Sequence, residues 1–137
     1  MTHDFADRFT ERPRMRETQR ARRGHAFLPA DVLAGLPGRG QNRPVRLEEA
    51  TIHLHYFAGG CDWWIAEAWP ETNGNEVVWL AFGYTRLGHV PDGAEWGLVN
   101  LTELEQVNVR GGLVVVERDL SWQPCPAHAC IPDLTHR

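Results

Sequence analysis

The 137-residue chain contains no lysine; all 14 of its basic residues are arginine. Catalysis through a lysine Schiff base is therefore excluded, as is a Gly-Lys-Ser/Thr phosphate loop. Cysteine is scarce too, with only Cys61, Cys125 and Cys130. An odd, small number fits reduced thiols better than a disulfide framework. The opening "MTHDFADRFTERPRMR" lacks the apolar core of a secretory signal, so the expected compartment is the cytoplasm. No apolar run approaches the ~18 residues that a membrane-spanning helix needs. A Gly-x-Ser-x-Gly elbow and a His-Glu-x-x-His pair are also absent, and "GRG" (38–40) and "AGG" (58–60) are too short to cradle a phosphate.

What is present is a single-domain length, at which folding buries roughly two thirds of the unfolded chain's surface. No staple or metal is then required for stability. Charge is unevenly spread: residues 1–24 hold seven arginines against four acids, and residues 25–137 hold the other seven against fourteen. The body is therefore acidic, at −7, and repels a polyanion. Residues 1–24 read as an Arg-rich arm, mobile or loosely docked. Within it Arg12, Arg14, Arg16, Arg20, Arg22 and Arg23 are the candidates for phosphate contact.

"FLPADVLAGLPG" predicts a helix of about two turns, with Pro29 at its start and Pro37-Gly38 as its stop. From residue 45 the apolar period becomes 2. "TIHLHYF" predicts a strand with Ile52, Leu54 and Tyr56 on one face and Thr51, His53, His55 and Phe57 on a solvent face. "AGGCD" turns the chain into "WWIAEAW". The Asn73-Gly74 signal then leads to "EVVWLAFGY", apolar on both faces and so interior to a sheet. "WGLVN" runs into a helix capped by Asn100, with Glu103 three residues on. "GGLVVVERDL" predicts the last strand. The fold class expected is α+β: four or five mostly antiparallel strands with two or three short helices against them, over residues 25–122. Residues 123–137 form a Pro-, Cys- and His-containing tail.

The ordered segments "FLPADVLAGL", "WWIAEAWPE", "LAFGYTRLG", "EWGLVNLTELE" and "GLVVVERDL" resemble the domain-of-unknown-function family 2958, over about residues 27–122. That resemblance implies small bacterial proteins carried by plasmids and integrative elements. It brings no activity and no catalytic residues.

Four kinds of site are worth weighing. Zinc needs four thiolate or imidazole ligands. Cys125, His128, Cys130 and His136 in the tail, with His53 and His55 in the first hairpin, are the residues that could supply them, yet no paired Cys-x2-Cys spacing occurs. General acid/base chemistry needs carboxylates held close in a pocket. The candidates are Glu67, Glu117 and Asp119, with Asp62 nearby. Nucleic acid would have to be met by the arm. Finally, six tryptophans in 137 residues are many. Trp63 and Trp64 are adjacent on a strand and must face opposite sides, so one core cannot take both. Trp63, Trp64, Trp69 and Trp96 are the candidate binding residues.

The reading these observations favour is a non-enzymatic cytoplasmic accessory protein of a mobile genetic element. It binds another protein, with counter-defence by occupying a basic nucleic-acid-binding surface of a host protein as the specific form. The alternatives are a small metal-dependent enzyme using hairpin histidines and strand carboxylates, and nucleic-acid binding through the Arg arm. No cofactor other than zinc, and no membrane, enters any of them.

Overall fold

The computed structural model describes residues 13–135 apart from His89, Pro91 and Leu113. In chain order it contains α1 (Arg20–Arg23), α2 (Ala30–Ala34), β1 (Thr51–Ile52), β2 (Leu54–Ala58), β3 (Cys61–Asn73), β4 (Glu76–Leu87) and β5 (Ala94–Asn100). There follow α3 (Leu101–Glu105), β6 (Asn108–Val109), β7 (Val114–Val115), β8 (Glu117–Arg118), β9 (Cys125–Pro126) and α4 (Ala127–Cys130). The chain is a small α+β fold built on a five-stranded antiparallel sheet in the order β5-β4-β3-β2-β8. Gly59 and Gly60 both take positive φ, 53° and 84°, as the central pair of a type I′ hairpin turn requires. Asn100 caps α3 as its sequence suggests, its Oδ1 accepting the Glu103 N–H at 3.0 Å.

Both faces of the sheet are covered. On the first, Phe27, Leu33 and Leu36 from the N-terminal third and Leu101 and Leu104 from α3 pack on Leu54, Tyr56, Ile65, Ala68, Trp79 and Ala81. On the second, Ala127, Ile131 and Leu134 pack on Ile52, Trp64, Ala66 and Tyr84. The segment after Trp122 is thus no detached tail: β9 pairs with β1, and the residues up to Leu134 form a cap over the second core.

Two departures from simple alternation set which side chains face which core. The first is at His53, where the chain breaks between β1 and β2. Ile52 therefore enters the second core while Leu54 and Tyr56 enter the first, so the three do not share a face as their spacing predicts. The second is a β-bulge at Ala66: Ile65 pairs with Gly83, but Glu67 pairs with Phe82. Gly83 permits it, because a Cβ there would collide with the Trp64 carbonyl. "GGLVVVERDL" also differs from expectation. It is not one strand: β7 pairs with β6, and only β8 joins the main sheet, against β2.

Two buried carboxylates tie loops to this frame. Glu105, fully buried, accepts the backbone N–H groups of Thr18 and Gln19, the Thr18 hydroxyl and the Arg23 guanidinium. Arg23 is itself buried and donates to the Val116 and Glu105 carbonyls, so residues 18–23 of the Arg-rich segment are docked through a buried ion pair. Glu67 does the same for residues 40–43 on the opposite face.

Candidate functional site

The bulge at Ala66 brings four rings into one cross-strand row on the second face. His55 lies opposite Trp64, Trp64 opposite Tyr84, and Tyr84 opposite Trp96, one residue from each of β2, β3, β4 and β5. His55 stacks on Trp64 with centroids 5.2 Å apart and planes 8° from parallel. Trp64 and Tyr84 are 6.0 Å apart, and Tyr84 meets Trp96 edge-on at 5.5 Å. Directly opposed aromatic pairs are among the cross-strand contacts that stabilise a sheet.

At one end the row is closed. His55 Nε2 is 2.8 Å from Asp62 Oδ1, and Nδ1 is 3.2 Å from Asp119 Oδ2. A carboxylate only accepts, so both contacts are hydrogen bonds together when the ring is an imidazolium. Trp122 lies 5.3 Å from the same ring and donates its Nε1–H to the Ile52 carbonyl at 2.9 Å. With a carboxylate at each ring nitrogen, His55 is held in place between Asp62 and Asp119.

At the other end the row is open. Phe82 stacks on Trp96 at 5.8 Å and pairs across the strands with Leu98, which is 68% exposed. The Arg43 guanidinium, bonded to Glu67, sits 4.1 Å above the Phe82 ring. A groove of about 620 Å³ runs beside Trp96 between Val45 and Leu134, with Glu95 and the Arg46–Glu48 ion pair on its rim. Val45 is fully exposed. β5 is the last strand of the sheet, so among the described residues its outer edge has no strand partner.

The other sequence candidates fall elsewhere. Glu67 is fully buried, and both its oxygens are occupied by the Gly40 and Asn42 N–H groups and by Arg43, which makes it a structural anion. Glu117 is exposed opposite Phe57, while Asp119 reaches His55. His53 is half-buried at the strand break and does not join His55, and burial pushes its pKa below the usual histidine value. Cys125 and Cys130 lie together, but His128 is exposed and lines a different groove with Arg46 and Glu49. Among the described residues no three His, Cys, Asp or Glu side chains converge as a metal site. Trp64 and Trp69 are buried, and Trp63 and Trp96 are half-buried. In the arm, Arg14, Arg16, Arg20 and Arg22 are exposed and Arg23 is buried. Arg12 and His136 lie outside the described residues.

Phe82, Tyr84, Leu98 and Val45 were not singled out by sequence reasoning. The sign that could have found the first two is the apolar doubling of "LAFGY" around a glycine, which marks a strand with a close backbone approach. No family model, no curated protein and no solved structure matches the chain.

Proposed function

We propose that this is a non-enzymatic binding protein that captures an extended, basic segment of a partner protein along β5, with Trp96 and Leu98 as the anchoring side chains. The observation that carries it is an aromatic row ending on a sheet edge that has no strand partner among the described residues, where Leu98 and Val45 stay exposed. An exposed apolar edge invites an added strand, and it is avoided in monomers without such a use. The basic character of the segment follows from Glu95 on the groove rim, where Glu48 is already paired with Arg46, and from the −7 of residues 25–137. Basic segments are what nucleic-acid-handling proteins expose, which fits a counter-defence role, a reading that rests on the acidic charge together with the mobile-element setting implied by the resemblance of residues 27–122. The metal-dependent enzyme is the weaker reading, because the histidine that meets carboxylates has both nitrogens already bonded to them.

The test is backbone amide exchange on the full chain with extended peptides that alternate Arg and Val, beside Glu-Val controls of equal length. Protection of the β5 amides by the basic peptide alone, lost in Leu98→Lys, is the expected result. Unchanged β5 amides overturn the reading. A concentration-dependent mass increase that Leu98→Lys abolishes would instead assign the edge to self-pairing of two copies.

A further inference from the structure

The two tail cysteines converge on one oxygen. Cys125 Sγ lies 3.4 Å and Cys130 Sγ 3.2 Å from the same Pro126 carbonyl, and Cys130 Sγ also lies 3.5 Å from the Cys125 carbonyl. Neither is sealed in the core; both are half-buried. Their positions come from separate elements, Cys125 from β9, where it pairs with Ile52, and Cys130 from the end of α4. The helix between them is held by the Ile131 N–H donating to the Ala127 carbonyl at 2.9 Å, and the strand by the Ala127 N–H donating to Ala50 at 2.8 Å. The pair is therefore fixed by the cap of the second core, not by chance proximity of a loose tail.

We propose that Cys125 and Cys130 form a dithiol that closes to an intramolecular disulfide by exchange with a small-molecule disulfide. In the first step the Cys125 thiol loses its proton to solvent and its sulfur attacks one sulfur of the reagent. The reagent's S–S bond breaks, and one small thiolate leaves and takes up a proton. In the second, Cys130 loses its proton and attacks Cys125 Sγ, which breaks the mixed disulfide and releases the second small thiol. The protein is oxidised by two electrons, and one small disulfide is reduced to two thiols. Cys125 is the first attacker because burial, and then the hydrogen bond and charge of Cys125, push the Cys130 thiol up to about 12. The bond would close the turn that presents Ala127, Ile131 and Leu134 to the sheet. This reading does not depend on the β5 edge.

Tryptic cleavage isolates both thiols in peptide 119–137, away from Cys61, which provides an internal control. The folded full-length chain is equilibrated in mixtures of reduced and oxidised glutathione, alkylated, digested and weighed. The expected product is peptide 119–137 lighter by its two thiol hydrogens and inert to alkylation, while Cys61 carries at most a glutathione adduct. Cys125→Ser and Cys130→Ser should each stop at a mixed disulfide. The native chain should form the bond with an equilibrium constant at least about tenfold above that in denaturant, since folding holds the sulfurs together. Two outcomes overturn the proposal: peptide 119–137 ending with two separate glutathione adducts, or equal constants for native and denatured chain.

Discussion

The two ends of the aromatic row are made of similar residues and have opposite surroundings. At the His55 end, two carboxylates and Trp122 close over the ring, and the neighbouring Trp64 is 3% exposed. At the Trp96 end, the next side chains are Leu98 and Val45, both exposed, and among the described residues no strand pairs beyond β5. Aromatic content therefore does not by itself mark a binding surface. What marks one is the place where stacking stops at an edge without a polar cap. The closed end stabilises the fold, and the open end is the surface proposed for the partner segment.

Truncation should separate the two most sharply. Trp64→Ala removes an indole from the second core and is expected to cost ~3–5 kcal/mol of stability, read from the shift of the urea midpoint. Trp96→Ala is expected to cost about 1 kcal/mol or less in the same measurement, yet to weaken binding of the Arg-Val peptide by about 2 kcal/mol or more. Equal losses of stability from the two would erase the distinction and make Trp96 a core residue.

The closed end can be opened more gently. Asp62→Asn and Asp119→Asn keep shape and remove charge from the two partners of His55, which are 26% and 32% exposed at their side chains. At that exposure water screens the pair, so each change should cost about 0.5–1 kcal/mol. A double-mutant cycle with His55→Gln isolates the coupling. Costs that are independent of His55 would show that the acids act only through other contacts, such as the Ser121 N–H bonded to Asp119.

Much of this fold can be read from the chain, and the unreadable part has a specific cause. The Gly59-Gly60 turn sets Ala58 opposite Cys61, and counting back from it puts His55 opposite Trp64, as observed. The same counting from the turn at Gly74 fails. There Asn73 faces Glu76, and an unbroken ladder would put Trp64 opposite Thr85. The Ala66 bulge shifts the register by one and delivers Trp64 to Tyr84, and hence to the row. Nothing in "WWIAEAW" announces that shift. Its causes lie at a distance: Gly83 across the ladder, and Asn42, whose side chain donates to the Ala66 carbonyl at 3.0 Å. The break at His53 has the same character, since β1 leaves the sheet to pair with β9, some 73 residues later in the chain. Trp63 and Trp64 did fall on opposite faces, as adjacent strand positions must. Which covering each would find depended on the tail, whose prolines hide a helix of only four residues.

The smallest effect expected is a dependence on pH that belongs to the body of the fold and not to its open edge. His25 Nε2 accepts the Arg118 N–H at 3.1 Å, which requires that nitrogen to be unprotonated. Burial first, and then the charges of Arg118 and Arg23, lower its pKa against the weaker opposing pull of Glu117 and Glu17. Burial alone lowers that of His53. The unfolded chain takes up these protons near the ordinary value of about 6.5, and the folded chain does so only at lower pH. Between those points the unfolded state binds more protons, so stability is complete above about pH 6.5 and is lost as pH falls through the folded values. His25→Asn with His53→Gln should flatten the slope of the urea midpoint between about pH 7 and 5. An unchanged slope would assign acid sensitivity to other groups. A slope that flattened while peptide binding kept its own pH dependence would show that the β5 edge titrates separately from the packed body.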